Sequence, residues 1–375
     1  MSAVQSIHSL FSFKTFVVGL LGVFAVYAAL FAYLFFARAQ TLQGLEERLA
    51  SQTVLVDRAR VSEIAAHHDM GEAQTAHDSA KAVSVAETPH GQSHDEDLSL
   101  EELVGRQAKS LRQSPVPGFF EETEYGLLPV AKSPMQTPFE IYKKPFTLNL
   151  SKPYIAVGVK NFGLSKALSE SMIAALPSSV SFILSPYSAD PEEWVQKARA
   201  DGHEVWLQLP IENNRFPLDD PGAKGLLTRV SLQYNQERLA WLLGRATGYA
   251  GIAAFTDSAL NNSGAMFKNM ARDIFGRGLG YFELNTASDS FFGALAADMG
   301  KPHTQAFALL GIIDPQGPAL KAVQAHIDTE GGAVVTLNPS PNNIVSLESW
   351  LAELEQQGVV SVPVSAIADP YIERN

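Results

Sequence analysis

The chain has 375 residues, of which 46% are hydrophobic, and its formal net charge is −12. This acidic balance argues against a nucleic-acid partner, since phosphate binding needs clusters of Lys and Arg that the sequence lacks. There are no cysteines, which excludes disulfides, thiolate catalysis and cysteine-based zinc sites.

A run of 23 uncharged residues, Thr15 to Ala37, follows a short N-terminal segment, residues 1–14. At 1.5 Å per residue this run is long enough to cross a hydrocarbon core of about 30 Å, and no polar face interrupts it. We therefore predict a transmembrane helix over residues 15–37.

The location of the body follows from this helix. Because the rest of the chain comes after the helix, we expect a short cytoplasmic tail, a single pass through the inner membrane and a body in the periplasm. A cleaved signal peptide is the alternative, since Ala37-Arg38-Ala39 fits a small-x-small cleavage site. Against it, the apolar run exceeds the usual ~7–15 residues of a signal peptide.

Residues 38–66 are polar but keep a helical pattern. Leu42, Leu45 and Leu49 lie at the a and d positions of a heptad repeat, which indicates a helical stalk that could form a homodimer. Polar residues in the same seam favour instead a solvated helix that simply extends the membrane anchor.

Residues 67–118 are predicted to form a linker. Its first part, His67 to Ser93, contains too few large apolar residues to offset the entropy of ordering, so we predict disorder. Five of the nine histidines lie in or beside this part, but no fixed spacing repeats, and a metal-binding tract is not favoured. Asp97 to Leu111 has the pattern of a short acidic amphipathic helix.

Residues 119–150 contain several prolines and aromatic residues, including the stretches Gly126 to Val130 and Thr137 to Phe146. Aromatic side chains at this density are costly to leave in water. We expect an extended segment that packs on the surface of the following domain.

Residues 151–375 alternate between strand-like and helical patterns. Strands are predicted at Ile155 to Val159, Val180 to Leu184, Glu204 to Leu209, Ile252 to Phe255, Gly280 to Glu283, Ala306 to Leu309, Ala333 to Leu337 and Val359 to Val362. Helical patterns intervene, and this alternation predicts an α/β domain with a parallel sheet. Seven or eight units favour closure into a barrel, with functional residues at the carboxyl ends of the strands.

Four stretches of this domain carry a family resemblance: Ile155 to Leu164, His203 to Glu212, Asp220 to Thr228 and Gly358 to Ala366. They resemble the divergent polysaccharide deacetylases, relatives of the NodB-type carbohydrate esterases. The segment from Gly126 to Tyr142 is similar to the region that precedes the domain in proteobacterial members. The resemblance implies a distorted (β/α)7 barrel and an exported location.

The resemblance also implies a metal site, which this sequence has lost. The family has a pair of aspartates in the first strand, histidines in the third, fourth and seventh strands and an aspartate in the fifth. The corresponding positions hold Lys160, Asn161, Gln208, Phe255, Asn338 and Glu283. Amides and phenylalanine cannot hold a metal ion and activate its water, and a lysine would repel the ion. We therefore expect no metal, no cofactor and no deacetylase activity.

The polar residues at the strand ends predict a ligand-binding cleft instead. Amide side chains both donate and accept hydrogen bonds, which suits sugar hydroxyls. The predicted cleft residues are Lys160, Asn161, Gln208, Phe255, Asp257, Ser258, Asn285 and Asn338. The alternative is that these polar residues merely fill a former site.

Three carboxylates near strand ends, Glu212, Asp257 and Glu283, are weaker candidates for acid/base catalysis without a metal. His203 matches a family position before the third strand, and we interpret it as structural rather than catalytic. The stretch Asn261 to Ser263 fits a glycosylation pattern, but we interpret it as a turn and helix cap.

The leading hypothesis is a membrane-anchored, catalytically inactive deacetylase-like protein. It would bind an envelope glycan, such as peptidoglycan, or a periplasmic protein in cell-envelope remodelling. One alternative is a carbohydrate hydrolase or deacetylase with an unusual metal-independent site, and another is a structural tether that dimerises through its stalk.

Overall fold

The computed structural model describes residues 110–256, 265–286 and 290–371. The predicted transmembrane helix, the stalk and most of the linker lie outside these ranges, as do Asp257, Ser258 and the stretch Asn261 to Ser263. Within the described ranges, no helix is both long enough and apolar enough to cross a membrane.

The described chain begins with a segment that contains regular structure. Strands β1 (Phe120–Thr123) and β2 (Gly126–Pro129) form an antiparallel hairpin. Helix α1 (Pro138–Tyr142) follows, and the side chain of Thr137 caps it by accepting a hydrogen bond from the backbone N of Glu140. The segment predicted to be extended therefore includes a hairpin and a helical turn.

Nine strands of the described chain form one parallel sheet. They are β3 (Tyr154–Phe162), β4 (Ser181–Leu184), β5 (Val205–Gln208), β6 (Gly251–Ala254), β7 (Gly280–Glu283), β8 (His303–Gln305), β9 (Ala308–Leu310), β10 (Gly332–Leu337) and β11 (Val360–Val362). Their order is β8-β7-β6-β5-β4-β3-β10-β9, and β11 pairs with the first half of β3.

Strands β8 and β9, which lie at the two ends of this order, follow each other directly in the chain. Ala306 and Phe307 join β8 to β9; the N of Ala306 donates to the O of Glu283 at 2.8 Å, and the N of Phe307 donates to the O of Val334 at 2.8 Å. The stretch from Ala306 to Leu309, predicted as one strand, therefore bonds first to β7 and then to β10. This connection brings the two ends of the strand order together, so the sheet curls round. This curled parallel sheet fits the predicted barrel.

Helices alternate with the strands, as the sequence predicts. They are α2 (Lys166–Ala175), α3 (Pro191–Ala200), α4 (Leu232–Leu243), α5 (Ala265–Gly276), α6 (Phe291–Met299), α7 (Pro318–Glu330), α8 (Pro341–Gln356) and α9 (Val364–Ala368). Helix α8 begins at Pro341, because Ser340 caps it and proline suits the first turn.

Alternate residues of each strand face two separate cores. One core lies inside the curled sheet and includes Ala156, Ile183, Trp206, Ala253, Phe282 and Val334. The other lies between the sheet and the helices and includes Val157, Phe182, Leu207, Ile252, Tyr281 and Val335. This alternation decides which side chains at the strand ends can reach an interior site.

The amino end of the curled sheet is closed. Phe139 of α1 is fully buried, packs edge-on against Trp206 with ring centres 6.3 Å apart, and lies beside Gly280, the first residue of β7. The opposite end, where the strands finish, is therefore the end at which a ligand can enter.

A buried carboxylate organises this closed end. Oε1 of Glu204 accepts hydrogen bonds from Trp206 Nε1 at 2.6 Å, Ser181 Oγ at 3.1 Å and the N of Ser365 at 3.2 Å. Its Oε2 accepts from the N of Lys144 at 3.0 Å. Glu204 thus joins the sheet to the segments before and after it.

The neighbouring His203 has structural contacts. Its ring is fully buried, its Nδ1 lies 2.9 Å from the O of Val180, and it stacks on Phe182 with centres 4.1 Å apart. These contacts agree with the structural role favoured from the sequence.

Candidate functional site

The carboxyl end of β3 carries a bulge that turns two consecutive side chains towards the same side. The pairing of β3 with β4 shifts register between Val159 and Phe162, and Asn161 has a φ of 59°. Phe162 consequently packs in the outer core, although simple alternation from Ala156 would place it inside. Lys160 keeps the interior direction and Asn161 reaches the mouth, so the bulge places both at the site.

Lys160 is a buried cation. Its residue is 6% exposed, and its Nζ lies 4.3 Å from the centre of the Phe255 ring, a cation–π contact. Within the described ranges no carboxylate forms an ion pair with it. Burial lowers the pKa of the ammonium group from 10.5 to about 8.

Gln208 and Phe255 approach the same region from β5 and from the end of β6. Gln208 lies two residues after Trp206 on the interior face, and Phe255 packs against the interior core. The Oε1 of Gln208 is buried and has no hydrogen-bond partner among the residues that the structure describes. An unpartnered buried amide oxygen is costly, which marks this position for a ligand group.

A cavity of about 260 Å³ opens at these strand ends. Three of the predicted cleft residues, Asn161, Gln208 and Phe255, line it. Lys160 is not itself a lining residue, but its Nζ lies against one of them, Phe255. The structure therefore brings together four of the predicted residues.

The rest of the lining comes from the segments after β3, β4 and β5, which the site prediction did not include. It comprises Leu164, Ser185, Pro186, Tyr187, Leu209, Pro210, Ile211, Asn213, Asp219, Asp220 and Pro221. Tyr187 fixes this wall, because its hydroxyl donates to the O of Pro221 at 2.7 Å. The signal available in the sequence was the long stretch between β5 and α4, since long loops after barrel strands build sites.

The sequence candidate Glu212 braces that long loop. Its two carboxylate oxygens accept hydrogen bonds from Thr228, at 2.8 Å from the backbone N and at 2.7 Å from Oγ1. Both oxygens therefore have partners within the loop, and Glu212 is absent from the cavity lining.

Glu283 lies on the other face of the sheet. It follows Tyr281, which belongs to the outer core, and its Oε1 accepts hydrogen bonds from Ser290 and contacts His303 Nε2 at 2.6 Å. Ser290 also caps α6. Glu283 is fully buried in this cluster and does not reach the cavity with Gln208.

The two remaining asparagines hold the rim. Asn285 joins the ends of β6 and β7, since its Oδ1 accepts from the N of Thr256 at 2.9 Å and its Nδ2 donates to the O of Thr256 at 2.8 Å. Asn338 Oδ1 accepts from Asn161 Nδ2 at 3.3 Å. Asn338 thereby supports the bulge rather than lining the cavity.

The residues at the strand ends do not fit the metal ion that the family resemblance implies. The interior positions hold an ammonium group, an amide and a phenyl ring, none of which supplies an imidazole or carboxylate ligand. In the described part of the chain, no group of three or more His, Asp or Glu residues could hold an ion.

Comparisons with known proteins agree with the fold. Residues 159–368 match the family described as divergent polysaccharide deacetylase, which confirms the resemblance. An uncharacterized protein of Agrobacterium tumefaciens C58 has a similar structure, with 26% identity and a TM-score of 0.58 over 64% of this chain and 99% of that one. A putative cellobiose-phosphate cleavage protein of Enterococcus faecalis V583 is 14% identical, with a TM-score of 0.40 over 58% and 99%. No curated protein matches the chain.

Proposed function

Because this chain belongs to the divergent polysaccharide deacetylase family, we propose that it is a carbohydrate-binding protein that has lost metal-dependent deacetylation. The observation that carries this proposal is the position of Lys160. Its buried Nζ lies against Phe255, at the strand ends where a deacetylase would hold its metal.

The charge of Lys160 opposes a dication. Two unit charges of the same sign repel by roughly 4 kcal/mol at a separation of about 4 Å when the effective dielectric constant is about 20. Without imidazole or carboxylate ligands nothing offsets this repulsion, and no group lowers the pKa of a bound water. Metal-dependent deacetylation therefore lacks both the metal ion and the metal-activated water that acts as its nucleophile.

The cavity itself suits a sugar. Its volume of about 260 Å³ is slightly below the range of ~300–1,000 Å³ typical of pockets for drug-sized molecules, so it fits one unit of a longer chain. Amides at Asn161, Gln208 and Asn213 offer donors and acceptors for hydroxyl groups, and Tyr187 offers an aromatic face. We infer that the ligand is an envelope glycan. A periplasmic protein as the ligand is the other outcome of a binding test.

Hydrolysis without a metal has less support. The carboxylates of Glu212 and Glu283 are both engaged in hydrogen bonds away from the cavity lining, and Asp257 lies outside the described residues. A general base must lie within hydrogen-bond reach of its proton. Any activity that survived alanine substitution of all three carboxylates would exclude this mechanism.

The proposal is tested with the purified full-length chain. We expect far less than one zinc per chain by elemental analysis and no acetate release from chitin oligomers or peptidoglycan, in assays where a metal-dependent deacetylase releases acetate. Stoichiometric zinc together with acetate release would overturn the proposed inactivity.

Glycan binding is tested separately by retention on peptidoglycan and on glucosamine polymers. We expect retention of the full-length chain, and weaker retention of Gln208→Ala. Gln233→Ala is the matched control, because Gln233 lies on α4, is exposed and contacts Glu237. No retention on any glycan would leave a protein partner as the remaining ligand.

We also propose that residues 15–37 anchor the protein in the inner membrane with the barrel in the periplasm. The support is the uncharged run of 23 residues before the body. The full chain should fractionate with membranes, and its body should become sensitive to protease once the outer membrane is opened. Protection of the body in that experiment would contradict the proposed orientation.

A further inference from the structure

Two other cations of the described domain, half-buried Lys143 and buried Arg199, are compensated. Lys143 Nζ lies 2.6 Å from Asp369 and 2.7 Å from Glu140. Arg199 donates to the carbonyl oxygens of Arg112, Tyr142 and Gly248. These partners offset the loss of hydration.

Lys160 differs from these two cations. In the described ranges it forms no ion pair or hydrogen bond. Its Nζ instead contacts the face of the Phe255 ring, 4.3 Å from the ring centre. A ring face compensates an ammonium group by only ~0.5–2 kcal/mol, less than a paired carboxylate in a buried site. A ligand that carries a negative charge would supply the counter-charge that the described residues do not give Lys160.

A second polar atom close to Lys160 also lacks a partner in the described part of the chain. Gln208 Oε1 is buried there without a hydrogen bond, and Gln208 and Phe255 line the same cavity. An amide oxygen needs a donor, such as a hydroxyl group. The two unpartnered groups therefore require a ligand with both an anionic and a hydroxyl function.

We propose that the barrel recognises a carboxylate-bearing sugar, with the carboxylate beside Lys160 and a hydroxyl donating to Gln208. This inference rests on the proposed function and adds the charge class of the glycan. Uronic acid units combine a carboxylate with vicinal hydroxyls and meet both requirements.

The acidic residues of the cavity orient such a ligand. Asp219 pairs with Arg215 at 3.3 Å, and Asp220 Oδ1 accepts from the N of Gly222 at 2.8 Å. Asp220 is exposed, whereas Lys160 is buried. A carboxylate is therefore repelled by Asp220 and attracted by Lys160, so the acidic group of the sugar points towards Lys160.

The test is calorimetric titration of the full-length chain in detergent with oligomers of equal length. Galacturonate and glucuronate oligomers are the acidic probes, and N-acetylglucosamine oligomers are the neutral probe. We expect an acidic oligomer to bind about tenfold or more tightly than the neutral one, as for close charge pairs at other interfaces. Raising the salt concentration should narrow this difference only partly, because the pair is buried.

Lys160→Met should abolish the preference for the acidic oligomers, because it removes the charge and keeps an unbranched side chain. Lys160→Gln is a second variant with the same expected loss. Lys166→Met is the matched control: Lys166 lies on α2, its side chain is 78% exposed, and it should change neither affinity.

Three outcomes would overturn the inference. If the neutral oligomer binds as well as both acidic ones, or if Lys160→Met keeps the preference, a carboxylate partner for Lys160 is excluded while glycan binding stands. If no oligomer binds, this inference and the proposed glycan function both fail, whatever the zinc content.

Discussion

Burial lowers the pKa of the Lys160 ammonium group from 10.5 to about 8. Between these two values the unfolded chain binds more protons than the folded chain, so the free energy of unfolding rises with pH in this window. Below about pH 8 the group is charged in both states and the folded chain bears the full cost of desolvation. At about 1.4 kcal/mol per unit of pKa, that cost is about 3 kcal/mol.

Lys160→Met is therefore expected to raise the free energy of unfolding by about 3 kcal/mol at pH 7, because it removes the buried charge. Urea unfolding followed by circular dichroism measures this change. The wild-type chain should gain stability between pH 8 and 10, and Lys160→Met should show a smaller change with pH.

Lys166→Met, at an exposed position, should change stability by less than about 0.5 kcal/mol. Lower stability of Lys160→Met than of the wild type at pH 7 would show that the lysine stabilises the fold. A residue that costs stability and yet supports ligand binding is the expected signature of a functional lysine.

At the scale of single elements, the bulge in β3 sets the geometry of the site. Asn161 adopts a φ of 59°, a left-handed conformation that asparagine tolerates and β-branched residues do not. Its Nδ2 also donates to Asn338 Oδ1. The backbone conformation of Asn161 and its side-chain hydrogen bond therefore both contribute to holding the end of β3.

Asn161→Gly should keep the bulge and change stability by less than about 1 kcal/mol, since glycine adopts positive φ without strain. Asn161→Val should cost about 1–3 kcal/mol and shift the neighbouring Lys160. Thermal unfolding of both variants measures the difference. Equal melting temperatures would show that the bulge does not depend on the residue at this position.

Much of the element order could be predicted, because β-type runs and helical patterns alternate through the whole domain. The side of the sheet to which each strand residue points could not be predicted in the same way. In a parallel sheet that is covered on both sides, inward and outward residues are equally apolar, so the sequence carries no alternation signal. Glu283 illustrates this limit, since it ends a strand like Gln208 but faces the outer core.

The site was predictable where the family pattern names a strand end, and less so elsewhere. Asn161, Gln208 and Phe255 do line one cavity, and Lys160 contacts Phe255. The wall formed by Tyr187 and the loop after β5 was missed, because loop conformation depends on tertiary contacts such as the hydrogen bond from Tyr187 to Pro221. The bulge escaped prediction for the same reason.

At the scale of the whole molecule, the segment before β3 belongs to the folding unit. Phe139 is fully buried against Trp206, inside the amino end of the curled sheet. Arg199, with a pKa lowered to about 10 by burial, donates to the carbonyl oxygens of Arg112 and Tyr142. Glu204 accepts from the N of Lys144. Removal of the segment would open the core and leave both buried charges with fewer partners.

Two fragments test this dependence. A chain starting at Ser110 retains all of these contacts and should unfold cooperatively in urea. A chain starting at Ser151 loses Phe139, whose burial alone is worth about 3–5 kcal/mol, and two carbonyl partners of Arg199. Because domains are stable by only ~5–15 kcal/mol, the shorter fragment should lose its near-ultraviolet circular dichroism and its cooperative transition. Phe139→Ala in the full-length chain is the intermediate control and should lower the unfolding midpoint without abolishing the transition. Equal midpoints for the two fragments would mean that the barrel folds without the segment, and that the segment only covers a finished core.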